Sequence, residues 1–294
     1  MIRIKRQIEA VYQMQDYIEN NLFENITLAS LSRISMFSPW YSYRLFVTHI
    51  GMTPADYIRK LRLSKSALKL RDNPCKIVDI AFEIGFSSVD GYQRAFRREF
   101  NCNPSEYAAN PNPIYLFMPY NIKFRYLEGR VVMENLKNIF IQVIERDNCK
   151  VIIKRGVKAT EYFTYCEEVG CDVWGLLQSI KSVSGEAICL WLSAKYHTPE
   201  TSKYVQGVEV AFDYDGVIPD GFDIIELPAT KYLMFQGEPF TEENFMQSID
   251  EVQTSIKKYD PSIIGYLWDN QSPHIQLEPI GTRGYIELLP IKLI

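Results

Sequence analysis

Apolar positions recur at three- and four-residue spacing through the first hundred residues, then give way to short runs that alternate with polar ones. From Ile8 to Leu22, the residues Ile8, Val11, Tyr12, Ile18 and Leu22 mark one face of a helix. The segment ITLASLSRIS follows, with Thr27 placed to cap a short helix whose inner side carries Leu28, Leu31 and Ile34. In MFSPWYSYRLFVTHIG, Ser38 is the cap, Pro39 takes the first helical position, where its missing N–H costs nothing, and Gly51 is the stop. Leu45 and Phe46 turn inward there, leaving Trp40, Tyr43 and Arg44 on the other side. A longer helix is expected from Pro54 to about Leu70, burying Tyr57, Ile58, Leu61, Leu68 and Leu70, and ended by Asn73-Pro74.

The arrangement then repeats about fifty residues on. KIVDIAFEIGFSS reads as a short helix with Ile77, Ile80, Ala81 and Ile84 inward, a turn at Gly85, and Ser87 or Ser88 capping VDGYQRAFRREF. Helix, short turn, helix, twice over, predicts a pair of helix-turn-helix elements with recognition helices over 38–49 and 88–100. Such helices held about 34 Å apart enter successive major grooves of one DNA face.

Past residue 110 the Pro- and aromatic-rich NPNPIYLFMPYN opens a connector, 111–138, and the pattern becomes one of strands. VIERDNCKVIIKRG (143–156) and IIELPATKYLMFQG (224–237) align Glu145 with Glu226, Lys150 with Lys231 and Gly156 with Gly237, all at an offset of 81 residues. Each stretch leads to a helix, CDVWGLLQSIKSV from Cys171 or EENFMQSIDEVQTSIKKY from Glu242, and then to two more strands. The fold class expected is therefore two-domain α+β. An all-α double helix-turn-helix domain over 1–110 precedes an α+β domain over 139–294, made of two pseudo-symmetric ββαββ-type units with a cleft between them.

Composition narrows the function. A chain of 294 residues exceeds one ordinary core, and 47% hydrophobic with 23% charged residues exclude disorder. The amino terminus lacks the apolar centre of a secretory signal and runs such as AICLWL are too short to span a bilayer, so a cytoplasmic protein without a membrane partner is expected. Six cysteines without a C-x-x-C pair and three scattered histidines fit neither a zinc site nor a disulfide framework; reduced, core-filling cysteines and no metal or cofactor are expected. Residues 1–113 carry 15 Lys and Arg against 11 Asp and Glu, a net +4, whereas the rest carries 17 against 25, a net −8. A basic front joined to an acidic back suits one anionic partner and one of another kind. No G-x-S-x-G elbow or phosphate-binding glycine loop argues for an enzyme.

The stretch RLSKSALKLRDNPCKIVDIAFEIGFSSVDGYQRAFRREFNCNPSEY resembles the signature of AraC/XylS-family DNA-binding domains, with Asp79, Ile80, Ala81, Gly85, Phe86, Tyr92, Phe96, Phe100, Pro104 and Tyr107 as its skeleton within residues 6–110. The resemblance implies double-stranded promoter DNA as partner and transcription regulation as function. It places Trp40, Tyr43 and Arg44 of the first recognition helix, and Gln93 and Arg94 of the second, against bases, with Lys76, Arg97 and Arg98 at phosphates. Val89, Asp90 and Gly91 stand where many relatives carry polar residues; Asp90 repels phosphate, and Gly91 weakens the helix by roughly 1 kcal/mol relative to Ala.

Residues 139–294 resemble the GyrI-like effector-binding domain in the Rob-type fusion to an AraC-type domain, best in KRGVKATEYFTYCEEVGCDVWGLL and GYIELLPI. This implies a small effector, aromatic or cationic, and multidrug sensing, with Glu287 of ELLPI facing the ligand. Physics gives Glu287 a separate motive: a carboxylate flanked by Ile286 and Leu288 on a central strand requires a cation, a donor or water. Trp174, Trp191, Trp268, Tyr162 and Tyr266 are candidate aromatic walls, and Glu209 in GVEVAF is taken as the counterpart of Glu287 in the first unit. Two other readings stand beside this one: a constitutive DNA binder whose back domain contacts a protein such as RNA polymerase, and a weak hydrolase of xenobiotics using a glutamate as acid or base.

Overall fold

A computed structural model of the chain describes residues 2–119 and 138–294 and divides the chain into two compact units. Most of the expected connector, residues 120–137, lies outside the described residues.

The first unit is helical: α1 (Ile2–Asn20), α2 (Leu28–Ser35), α3 (Pro39–Ile50), α4 (Pro54–Asp72), α5 (Ile77–Glu83), α6 (Val89–Phe100) and α7 (Pro104–Ala109). Its boundaries follow local chemistry. Thr27 and Ser30 form a capping box at α2, the Ser38, Thr53 and Ser88 side chains cap α3, α4 and α6, and prolines occupy the first turns of α3, α4 and α7. Gly51 ends α3 in the left-handed conformation at φ 83°, where a side chain would strain the backbone.

Two cores are built on one helix. The first half of α4 gives Tyr57, Ile58 and Leu61 to a cluster with Val11, Met14, Ile18, Leu31, Leu45 and Phe46. Its second half gives Leu63, Ala67 and Leu70 to a cluster with Ile80, Ile84, Tyr92, Phe96, Phe100 and Tyr107. Leu68, expected inside, is only partly buried because the inward row runs through Leu63, Ala67 and Leu70. The segment just after the helices also belongs to this unit. Phe117 meets Tyr57 edge-on at 5.2 Å and donates its N–H to Ser64 Oγ at 2.7 Å, while Leu116 is buried in the second core.

The second unit comprises β1 (Phe140–Arg146), β2 (Cys149–Arg155), α8 (Tyr162–Val169), α9 (Asp172–Ser179), β3 (Ala187–Trp191), β4 (Tyr204–Val210), β5 (Asp223–Leu227), β6 (Thr230–Gln236), α10 (Phe245–Lys258), β7 (Tyr266–Trp268), β8 (His274–Leu277) and β9 (Ile286–Leu293). The strands form one curled antiparallel sheet in the order β1-β6-β9-β8-β3-β4-β2-β5, with β7 pairing the far end of β9. Among neighbours in sequence, β3 pairs with β4 and β8 with β9, but β1 does not pair with β2, nor β5 with β6. β1 lies against β6, matching Glu145 with Lys231, and β2 lies against β5, matching Lys150 with Glu226. The halves before and after residue 220 therefore exchange strands.

One sheet face is a continuous apolar layer of Val151, Ile153, Ile188, Leu190, Val205, Ile275, Ile286 and Leu288. The other is covered by α9, through Leu176 and Leu177 against Ile152 and Val208, and by α10, through Val252 against Leu233 and Phe235. Of the six cysteines expected in cores, only Cys149 and Cys189 are buried; Cys75 and Cys171 are exposed, the first beyond the end of α4 and the second at the start of α9.

Strand exchange makes each half of the sheet incomplete alone. Separately expressed fragments 139–219 and 220–294 are expected to show no cooperative thermal transition by circular dichroism and to regain one on mixing. A cooperative melt from either fragment alone would contradict this pairing.

Candidate DNA interface and effector cleft

On α3, the buried Leu45 and Phe46 fix the helix so that its opposite side faces solvent. Trp40 is 70% exposed, and its indole stacks on Tyr43 at 5.8 Å with 11° between the rings. The Arg44 guanidinium lies 5.4 Å from the centre of the Tyr41 ring, which restricts its swing without removing its donors. Trp40, Tyr43 and Arg44 therefore share the solvent-facing side of α3.

On α6, Tyr92, Ala95 and Phe96 are buried, and Gln93, Arg94, Arg97 and Arg98 project outward. Arg97 and Arg98 occupy the last turn, where cations complement the helix dipole. Lys76 is exposed at the start of α5 and makes no side-chain capping bond. The glycine at 91 has a local reason: its N–H donates to the Ser88 cap at 3.1 Å, and a Cβ there would stand 3.0 Å from the same oxygen.

In the sheet unit, Glu287 is 1% exposed and points away from its strand neighbours Ile286 and Leu288, toward α10. The Tyr285 hydroxyl donates to its Oε1 at 2.6 Å, the Gln253 amide reaches the same atom at 3.2 Å, and His274 Nε2 stands 2.8 Å from Oε2. Burial pushes this carboxyl up, but His274, Tyr285 and Gln253 together outweigh it and hold the group below the ordinary glutamate range. Burial, and then the charge of Glu287, push the Tyr285 hydroxyl far up, so it remains a donor.

His274 connects this buried carboxylate to a cleft of about 560 Å³ lined by Trp191, Trp268, His274, Ile256, Tyr259 and Leu289. The Trp191 ring stacks on the imidazole at 4.4 Å and 23°, and its Nε1 donates to the Thr160 carbonyl at 2.9 Å. Trp191 and Trp268 thus share one cleft. The other expected walls lie elsewhere: Trp174 packs against the α9 clusters, Tyr162 against the cluster of Tyr165 and Tyr204, and Tyr266 against that of Phe235 and Val252.

Glu209 is not the counterpart of Glu287. It is 1% exposed, shares the strand face of Val205 on the opposite side of the sheet, and pairs with Arg146. Side chains alternate along a strand, so a shift of three positions changes the face. The register names Gln206 instead: Glu287 is opposite Gln276, Gln276 opposite Cys189, and Cys189 opposite Gln206. Gln206 lies 81 residues before Glu287, the offset of the sequence repeat, and its buried side-chain carbonyl has no hydrogen-bond partner among the described residues. His274, Tyr285 and Gln253 were missed by sequence reasoning. Tyr285 alone carried a signal, being two residues from Glu287 and hence on the same strand face.

Among the described residues no group of three or more His, Cys, Asp or Glu could hold a metal, and no helix is long and apolar enough to cross a membrane.

Comparison with known proteins bears on the helical unit. A family model described as a helix-turn-helix domain matches residues 31–110. The regulatory protein SoxS of Salmonella typhimurium strain LT2 is 32% identical over 99 residues, 34% of this chain and 92% of its own length. SoxS of Escherichia coli K12 is 35% identical over 91 residues, 31% of this chain and 85% of its own length. A solved structure titled as a probable AraC family transcriptional regulator from Rhodopseudomonas palustris CGA009 is 28% identical, with a TM-score of 0.33 and coverage of 35% of this chain and 98% of that one. The chain belongs to the AraC/XylS family of helix-turn-helix transcription regulators, and DNA binding is the work of its helical unit.

Two outcomes follow from these sites. Arg44→Ala should cost about 1–3 kcal/mol of specific DNA binding and relax base preference at one position, read by selection from random duplexes. Because the carboxyl of Glu287 is lowered in the folded protein, its contribution is present above the ordinary glutamate value of 4.5 and is lost as pH falls through the folded value. The stability advantage of wild type over Glu287→Gln, measured by urea unfolding, should therefore narrow on acidification below about pH 4.5.

Proposed function

We propose that the protein is a sequence-specific, effector-responsive transcription regulator. Trp40, Tyr43 and Arg44 on α3, with Gln93 and Arg94 on α6, read bases, and Lys76, Arg97 and Arg98 hold phosphates. The sheet unit is a GyrI-like domain of two ββαββ-type units, and its ligand is a small planar molecule carrying a positive charge.

The observation that carries the effector reading is the Trp191–His274 stack over the buried Glu287, at the wall of an open cleft. A flat ring can slide against Trp191 or Trp268, and a cationic group gains from a carboxylate shielded from water. Effector binding changes regulation only through unequal affinity for DNA-competent and DNA-incompetent states.

A second reading has its own support. Ile263 is 72% exposed, Leu267 44% and Leu293 68%, all around the β7–β9 pairing, which suits a protein partner better than a small molecule.

Titration of the full chain with planar aromatic cations and their neutral analogues, followed by tryptophan fluorescence, separates the two. Saturable binding of the cations is expected, weakened tenfold or more in Glu287→Gln, about 1.4 kcal/mol. Equal affinity for charged and neutral compounds, or for mutant and wild type, removes Glu287 from the site.

A further inference from the structure

We propose that Arg62 is a positioning residue that sets the separation of the two recognition helices, and with it the DNA half-site spacing the protein accepts. Arg62 sits at the one point of α4 where the cores change over, between Leu61 of the first and Leu63 of the second. Its Nε donates to the Leu22 carbonyl at 2.7 Å and its Nη2 to the Glu24 carbonyl at 2.6 Å, both just past the end of α1 in the first half. On the other side its guanidinium lies against the turn between α5 and α6, where a Cβ on Gly85 would stand 2.7 Å from Nη1.

The halves do not close on one another here. A cleft of about 530 Å³, lined by Phe23, Ile26, Ile58, Arg59, Gly85 and Phe86, separates them, and Arg62 lines the same cleft. A planar fork bonded to two backbone carbonyls on one side and wedged against a glycine turn on the other has little freedom. Gly85 has two reasons to lack a side chain, its φ of +83° and the guanidinium beside it. The Lys60–Glu99 ion pair crosses the same seam, from the first half of α4 to α6, but a lysine ammonium is a point charge on a flexible stem and lacks the two fixed bonds of the guanidinium fork.

Loss of the fork leaves each helix-turn-helix with its own core, so each keeps its base preference while the distance between them loosens. The test is selection of bound duplexes from a random pool by the full chain, wild type beside Arg62→Ala and Arg62→Lys. Wild type should recover paired elements at one separation, near a helical turn. Arg62→Ala should recover the same elements over a spread of separations and bind the wild-type duplex at least tenfold more weakly; Arg62→Lys, which keeps the charge without the fork, should fall between. A single retained separation in Arg62→Ala, whatever its affinity, overturns the proposal. Should Arg62→Ala lose helical signal, Arg62→Lys is judged by the same criterion.

Discussion

One continuous helix has to serve two cores. At about 1.5 Å per residue, the 19 residues of α4 span roughly 28 Å, close to one turn of DNA, and its two halves are each buried in a separate cluster. Because the helix is continuous, a rotation of one helix-turn-helix about α4 must be resisted by side chains at the seam. Among the described residues these include Arg62, the Lys60–Glu99 ion pair, Lys69 over the Phe23 ring, and Phe117 through its contacts with Tyr57 and Ser64. The orientation of both DNA-reading surfaces depends on this arrangement.

The sheet unit meets a different constraint. A carboxylate in an apolar sheet is tolerated only if several groups answer its charge, and Glu287 draws on three strands and helices for them: Tyr285 on the approach to β9, His274 on β8 and Gln253 on α10. Satisfying the charge also places an imidazole at the wall of the cleft, stacked on Trp191. The electrostatic need of one buried group thus shapes the surface a ligand would meet. On the other side of the sheet, Glu209 meets the same need with the Arg146 guanidinium and the Cys149 thiol.

Much of the helical unit was legible because its signals are local. A serine or threonine before a proline, a glycine after an apolar stripe and a three-four repeat act within one or two turns, so Ser38, Gly51 and Ser88 mark boundaries whatever the rest of the chain does. The faces of α3 and α6 followed in the same way. The cleft was legible only in fragments: Glu287, Trp191 and Trp268 were singled out, but Trp174, Tyr162 and Tyr266 satisfy the same aromatic pattern and do not line it. Composition cannot separate a wall from a core, because both call for large apolar rings.

From its sequence alone the protein was determined as a basic double helix-turn-helix followed by strands that repeat at an offset of 81 residues. Only the tertiary structure decided that β1 pairs with β6 and β2 with β5, that Gln206 rather than Glu209 stands level with Glu287, and that Arg62 crosses between the two DNA-reading halves. Helix caps and stripes are settled by neighbours in the chain. Strand partners, the face a carboxylate takes and the reach of an arginine are settled by residues tens of positions away, whose contribution exists only once the chain has closed on itself.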